Sequence, residues 1–229
     1  SFTLALQGAA EIGNTQVALQ GEAAIANRAV KCVDFAAHAS SANLDGLDVA
    51  VAATWAAPNT ACGATPASPS TALTANISGT FAVGTTSIAV AGRGAITQGK
   101  LQCLDLAAQG NAQIPLGGLD VSLAARFAEG GATCTWRDQT TSSPSVDTLY
   151  ASLAGRLQVG ASQLALSGNG LIANGTITCA ELAANTSLAL AGVSFSAGAR
   201  YAAANRTCTW SDGTISSPAV ATLNLALPD

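Results

Sequence analysis

The stretch VGASQLALSGNGLI, residues 159–172, joins a short turn containing Gly160 to a run of alternating apolar residues. Small polar residues around a glycine, between two apolar segments, are typical of a β-hairpin turn. A period of two in the apolar positions indicates a strand, whose successive side chains point to opposite faces. The apolar or small residues of this run are Leu164, Leu166, Gly168, Gly170 and Ile172. The stretch therefore predicts antiparallel β structure.

The same pattern occurs at 12–25 and 83–96, so the chain repeats itself. Self-similarity at a fixed spacing is the signature of a repeated structural module. Aligning the copies gives β modules 1–72, 73–148 and 149–222, followed by a short strand, 223–229, that resembles the start of a fourth. We therefore predict an all-β protein of three tandem homologous antiparallel modules, each of about 75 residues.

The cysteines follow the repeat. The six of them form three pairs about thirty residues apart: Cys32 with Cys62, Cys103 with Cys134, and Cys179 with Cys208. A zinc site would need short C-x-x-C spacings or accompanying histidines, but the chain has no such spacing and only one histidine. The spacing predicts one internal disulfide per module and an oxidising compartment.

Each module is expected to hold about five strands. The segments CVDFAA, CLDLAA and CAELAA, which begin at the first cysteine of each module, are interpreted as strand. The fourth strand of each module ends in a large aromatic residue: Trp55, Phe127 or Tyr201. The near-identical stretches CTWRDQTTSSP, 134–144, and CTWSDGTISSP, 208–218, are expected to form a fifth strand and an exit loop. Glycines inside the second strands are expected to mark bulges or close backbone packing, not a phosphate-binding loop.

An acid stands two residues after the first cysteine of each module: Asp34, Asp105 and Glu181. Parity places these acids opposite their apolar neighbours, and therefore facing solvent. Arg126 and Arg200 lie at the matching positions of the fourth strands, where the first module has Thr54. We predict the cross-strand ion pairs Asp105–Arg126 and Glu181–Arg200. Such exposed pairs contribute little, up to about 1 kcal/mol.

Composition excludes some partners. The 229 residues carry a formal net charge of −4 and no dense cluster of Lys and Arg, so we expect no nucleic-acid partner. Apolar runs of about eighteen residues are absent, and we expect no membrane insertion. The chain starts at Ser1 and contains no methionine, which favours export after removal of a signal peptide. We expect an extracellular or cell-surface location.

Catalytic chemistry finds little support. His38 is the sole histidine and has no counterpart in the other modules. Nucleophile, general-base or metal-ligand constellations do not recur or cluster along the sequence. We therefore predict that the protein is not an enzyme, and we assign no catalytic, cofactor-binding or metal-binding residue.

Two aromatic residues are candidate ligand contacts. Trp136 and Trp210 are each followed two residues later by an acid, Asp138 or Asp212. Exposed aromatic rings stack on sugars, and nearby acids bind sugar hydroxyls. The competing interpretation is that each Trp covers the disulfide of its own module.

Four sequons mark candidate N-glycosylation sites at Asn76, Asn174, Asn185 and Asn205. The last two are expected in loops, whereas Asn76 falls in a predicted strand.

The chain ends suggest how copies could associate. The apolar residues Leu223, Leu225 and Leu227 fall where Phe2, Leu4 and Leu6 stand at the start of the first module. A strand that begins a fourth module can pair either within its own chain or with the next subunit, in which case a head-to-tail homopolymer results. The favoured function is a non-catalytic extracellular structural protein that self-assembles into a fibre, sheath or surface array. The alternative is a carbohydrate-binding adhesin that uses Trp136 and Trp210.

Overall fold

The structure is a computed structural model, in which the protein is entirely β. It describes residues 2–12, 15–41, 47–63, 65, 67–83, 86–114, 117–188 and 193–226. The long strands form antiparallel meanders in which sequence neighbours are also neighbours in the sheet. The predicted all-β fold with one disulfide per module is thus confirmed. Among the described residues no helix is long and apolar enough to span a membrane.

The chain divides into two compact units. The first unit comprises Ser1–Leu106 and Cys134–Ser142. Its strands are β1 (Phe2–Ile12), β2 (Thr15–Ala26), β3 (Ala29–Ser41), β4 (Leu47–Ala56), β5 (Ala72–Val83), β6 (Thr86–Thr97), the first part of β7 (Lys100–Ile114), and two short strands that follow β8, namely β9 (Cys134–Thr135) and β10 (Thr141–Ser142).

The second unit comprises Ala107–Thr133 and Ser143–Asp229. Besides the end of β7, its strands are β8 (Gly117–Ala128), β11 (Thr148–Val159), β12 (Ser162–Ala173), β13 (Thr176–Leu188), β14 (Val193–Ala202), β15 (Cys208–Thr209), β16 (Ile215–Ser216) and β17 (Thr222–Ala226).

Tight turns join the second strand of each module to the third. Asn174 (φ 49°) and Gly175 (φ 72°) both lie in the left-handed region, as the two-residue turns of twisted hairpins require. The turn residues Asn27–Arg28 of the first module and Gln98–Gly99 of the second also have left-handed backbone conformations. A shift in register follows in two of these hairpins, at Ala24/Ile25 and at Leu171/Ile172.

The repeated Cys-Thr-Trp stretch differs from the prediction. It does not supply a fifth strand of the main sheet. Instead, β9 pairs with β10, and β15 pairs with β16, as separate two-stranded hairpins. The stretch does form a short strand after the four long strands of the second and third modules, as expected, but that strand stands apart from the main sheet, because a disulfide ties each hairpin to the third strand of its module across the sheet face.

The three disulfides are those predicted. Cα–Cα distances are 5.5 Å for Cys32–Cys62, 5.6 Å for Cys103–Cys134 and 5.7 Å for Cys179–Cys208. Such distances are ordinary for disulfide bridges.

The sheet of each unit has one apolar and one polar face. In the first unit, cross-strand pairing aligns the apolar residues on one side, among them Leu4, Leu19, Phe35, Val51, Ile77 and Val90. The other side carries Gln7, Gln20, Glu22, Asn76 and Arg93. In the second unit the apolar side includes Leu153, Leu166, Leu182, Tyr201 and Leu223. The period of two in the sequence therefore becomes a two-sided sheet.

Glycines of the second strands accommodate leucines of the third. A Cβ added at Gly168 would lie 2.7 Å from Leu182 Cδ2, and one added at Gly92 would lie 2.7 Å from Leu106 Cδ2. Close packing, one of the two expected roles, therefore accounts for these glycines.

Among the apolar side chains, full burial is confined to the ends of strands and to the loops that follow them. The buried apolar residues among those described are Ala56, Ala57, Cys62, Ala128, Cys134, Trp136, Ala202, Cys208 and Trp210. On the apolar face of the second unit, Leu123 is 50% exposed and Leu182 is 60% exposed. Each unit therefore has a small core beneath its loops and an uncovered apolar sheet face.

Candidate functional site

The best-defined cluster of polar side chains lies beneath the β15–β16 hairpin of the third module. The hairpin turn is closed by two backbone bonds, from Trp210 N to Thr214 O at 2.9 Å and from Gly213 N to Trp210 O at 2.9 Å. The Cys179–Cys208 disulfide holds the hairpin against β13. We call this hairpin, with the acid that it covers, the third loop clasp.

Glu181 is the acid at the centre of the third loop clasp. Its Oε2 accepts the backbone N–H of Ser211 at 2.8 Å, and its Oε1 accepts Arg200 Nε–H at 2.8 Å. The predicted ion pair between Glu181 and Arg200 is therefore confirmed. Both carboxylate oxygens have donors, so the charge is compensated although the residue is only 6% exposed.

Arg200 joins the two acids of the clasp. Its Nη2 donates to Asp212 Oδ2 at 2.7 Å, and its guanidinium carbon lies 5.5 Å from the Trp210 ring centroid. Asp212 Oδ1 in turn accepts from the backbone N–H and the hydroxyl of Thr214, at 2.9 and 2.6 Å. The guanidinium thus binds two carboxylates and packs on an indole, a set of contacts that lysine could not reproduce.

These contacts shift the titration of the cluster. Burial acts to raise the pKa of Glu181, but the hydrogen bonds from Ser211 and from Arg200, with the charge of Arg200, lower it below its ordinary value. Hydrogen bonds from Thr214 first, and then from Arg200, lower the pKa of Asp212. The hydrogen bond to Asp212 is the main cause that raises the pKa of Arg200.

The second module builds a related clasp around Asp105. Its Oδ2 accepts the backbone N–H of Arg137 at 2.8 Å, and its Oδ1 accepts Arg137 Nη2–H at 3.2 Å. Asp138 Oδ1 accepts from the backbone N–H and hydroxyl of Thr140, at 3.1 and 2.6 Å, as Asp212 does with Thr214. The predicted partner Arg126 stays a prediction, whereas Arg137 is a partner that sequence reasoning missed.

The first module has a smaller clasp. Asp34 Oδ1 accepts the hydroxyl of Thr54 at 2.5 Å, so the threonine expected in place of an arginine does contact the acid. The sulfurs of Cys32 and Cys62 each lie 3.9 Å from Asp34 Oδ2. Gly63 (φ 51°) passes so close that an added Cβ would lie 3.2 Å from Asp34 Oδ1.

Burial corrects one expectation about these acids. Asp105 is 2% exposed and Glu181 is buried as well, so the expectation that both face solvent was wrong. Parity predicted the correct face of the sheet, but the hairpin then folds over that face. The signal was present in the sequence, because Cys179 and Glu181 share parity and the disulfide must bring the loop to their side.

The two tryptophans are buried beneath their loops. Trp136 is 6% exposed and Trp210 is 8% exposed. Trp210 belongs to a buried cluster with Ala202 and Cys208, against which Cys179 packs. This arrangement matches the interpretation that the Trp covers a disulfide, and it leaves little ring surface for a stacked sugar. Asp138 and Asp212 are engaged in their own turns.

Metal-ligating side chains converge at one place in the described part of the chain. Cys32, Asp34 and Cys62 bring ligand atoms within 4.8 Å of one another. The two sulfurs are joined as a disulfide, and a metal requires thiolates. This group is therefore a structural bridge beside an acid.

The sequons lie in different settings. Asn76 is in β5, as predicted, and Asn205 is in the turn of a loop. Asn174 occupies the tight turn between β12 and β13. Asn185 was expected in a loop, which was wrong, because it lies within β13.

The predicted assembly residues lie on the first and last strands. Phe2 and Leu4 on β1 are exposed, as are Leu223 and Leu225 on β17. The backbone of Leu6 pairs with Gly21, and Leu227 lies outside the described residues.

Comparison of the chain with protein-family models, with curated proteins and with solved structures gives no match.

Proposed function

We propose that this chain is a non-catalytic extracellular structural protein that self-assembles into a fibre, sheath or surface array, with copies of itself as the partner. The observation that supports this most is the uncovered apolar face of each sheet. A sheet with one apolar face is stable when a second layer covers that face. Exposed apolar surface of this extent is typical of an association surface.

The size of the face suits a second copy. Six strands about 4.8 Å apart, with about ten residues at about 3.4 Å each, give a face on the order of 1,000 Å². Two such faces in contact would bury on the order of 2,000 Å², which is in the range of stable protein interfaces. The described residues of this face in the second unit carry no charge, as a layer that packs against its own copy requires.

The terminal strand supports the same proposal independently. In the first unit β5 begins a module beside β4, with Leu73 opposite Trp55. In the second unit β17 takes the corresponding position beside β14, with Leu223 opposite Tyr201. Among the described residues β17 pairs with β14 alone. We propose that its second edge pairs with β1 of the next copy in a head-to-tail joint.

Two neighbouring residues on β12 allow a matched test of the apolar face. Leu166 lies on the apolar face and Ser167 on the polar face, and both are exposed. We expect Leu166→Lys to abolish assembly, because it places a charge in a layer contact, whereas Ser167→Lys assembles like the wild type. Sedimentation velocity and electron microscopy measure the outcome, and retention of all three disulfides shows that each variant folds. A wild-type chain that stays monomeric, or equal assembly of both variants, would contradict the proposal.

Deletion of residues 222–229 tests the terminal joint separately. If the joint lies between molecules, the shortened chain keeps its disulfides but forms no long polymers. Unchanged polymers would refute the joint at β17 while leaving the apolar-face contact standing.

A further inference from the structure

The first module departs from the repeat at one pair of polar side chains. His38 Nε2 lies 2.7 Å from Asp48 Oδ1, on the polar face of β3 and β4. Alignment on the cysteines places Asn185 and Ser194 at these positions in the third module. The acid and the disulfide of each module are repeated, whereas the His38–Asp48 pair is particular to the first module when it is compared with the third.

A cavity of about 430 Å³ adjoins this pair within the first unit. Its lining includes four small side chains of the polar face, Ala18, Ala36, Ala50 and Ala52. The row of residues between them also lines the cavity and has the parity of the apolar face: Gly8, Leu19, Ala37, Val51 and Ile77. Longer polar side chains stand around the four alanines: Gln7 and Gln20 on one side, Asn76 and Ser78 on the other, and His38 at one end. We call this cavity the alanine trough. Its volume lies in the range of small-ligand sites.

A second depression of about 500 Å³ continues the alanine trough along the strands. It shares Gln7, Gln20, Ala36 and Ala52 with the trough and extends to Glu22 and Asp34. Four residues along β3, from Asp34 to His38, correspond to about 13 Å. The space between Asp34 at one end and His38 at the other therefore accommodates two or three linked sugar rings.

The side chains of the rim are available for a ligand. Within the described part of the chain, the amides of Gln7, Gln20 and Asn76 have no hydrogen-bond partner, and all three residues are exposed. Asp48 is engaged by His38, and Asp34 by Thr54, so these two carboxylates are already partnered. The free groups are therefore neutral amides, each of which both donates and accepts.

We propose that the alanine trough binds a neutral saccharide. Amides, a hydroxyl and an imidazole suit ligand hydroxyl groups, which also donate and accept, while the alanine methyls provide an apolar floor for the C–H faces of sugar rings. A cationic ligand would need unpartnered carboxylates along the trough, and the rim carries Glu22 alone at its far end. The site does not depend on the assembly proposed above.

The sole histidine provides a direct probe of this site. The imidazole Cε1–H of His38 gives one resolved proton NMR signal, which is followed as cellotriose, maltotriose or chitotriose is added. The protein is produced in a host that forms disulfides but attaches no N-glycans, because Asn76 lies in a sequon. We expect at least one trisaccharide to shift the signal saturably.

One substitution in the alanine trough tests the site, and a matched substitution in the third module is its control. Gln20→Ser introduces the residue found at the equivalent position, Ser167, and is expected to weaken binding at least tenfold while His38 still reports. Gln163→Ser makes the same change on the polar face of the second unit and should leave binding unaltered. The proposal is overturned if no trisaccharide shifts the signal, if Gln20→Ser binds like the wild type, or if trilysine binds in their place.

Discussion

The third module and the first module close a loop over the same acid position with different chemistry. In the third, Glu181 receives a backbone N–H from Ser211 and a guanidinium N–H from Arg200. In the first, Asp34 receives the hydroxyl of Thr54, and among the described residues no cation contacts it. Across the neighbouring strand, Glu181 faces neutral Asn169, whereas Asp34 faces Glu22, which carries the same charge.

This difference shows that the repeated acid stabilises its loop to different degrees in the two modules. A buried carboxylate with two donors and an ion pair fixes the position of the loop that supplies one of those donors. An acid opposite a like charge gains less from its position, because cross-strand repulsion offsets part of the hydrogen bond. Both clasps have a disulfide, and the third is therefore expected to gain substantial further stability from its charged contacts, whereas the first depends mainly on its disulfide.

The largest expected effect comes from removing the acid in each module. Glu181→Ala leaves the Ser211 N–H and part of Arg200 unpaired in a buried place, and should lower the free energy of opening of residues 203–217 by about 3 kcal/mol. Asp34→Ala also relieves repulsion from Glu22, so the loop at 57–70 should lose about 1 kcal/mol or less. Hydrogen exchange measured by mass spectrometry over both loops checks this. Equal losses in the two loops would contradict the contrast.

Acid pH should open the third loop by a smaller amount. The folded pKa of Glu181 lies below its ordinary value of 4.5, so the unfolded state takes up the proton first. The carboxylate therefore contributes its full stabilisation above pH 4.5, and this is lost as the pH falls through the lowered pKa. The lowered pKa of Asp212 acts in the same direction.

Exchange protection of residues 203–217, corrected for intrinsic rates, should therefore fall as the pH drops from 5 towards 3. Glu181→Gln serves as the control, because it keeps the shape of the side chain without its titration. A Gln variant with the same pH dependence as the wild type would show that Glu181 is not the responsible group.

Sequence reasoning predicted the parts of these loops that depend on spacing. The disulfides were predicted from the spacing of the cysteines within each repeat, and the pair Glu181–Arg200 was predicted from strand parity in β13 and β14. Partners from the hairpin itself, such as the Ser211 N–H and Asp212, were not predicted, because they depend on how the loop at 203–217 folds back over the sheet. The pair His38–Asp48 was missed because the alternation of apolar residues does not fix the register between β3 and β4 that makes these residues diagonal neighbours.

The smallest expected effect concerns the hairpin turns of the second and third modules, which share their backbone bonds but carry different residues at the left-handed position. Gly213 (φ 80°) occupies the left-handed position in the third, and Gln139 (φ 65°) occupies it in the second. A non-glycine residue in this conformation costs about 1 kcal/mol, which exceeds the entropy lost by glycine. Gly213→Gln should therefore destabilise its loop by about 1 kcal/mol, while Gln139→Gly should stabilise its own by up to about 0.5 kcal/mol. Exchange of the Gly213 and Thr214 amides, and of those at 139 and 140, measures both changes. The same sign in both variants would show that side-chain contacts of Gln139, such as its bond to Arg137 O at 3.4 Å, outweigh the backbone preference.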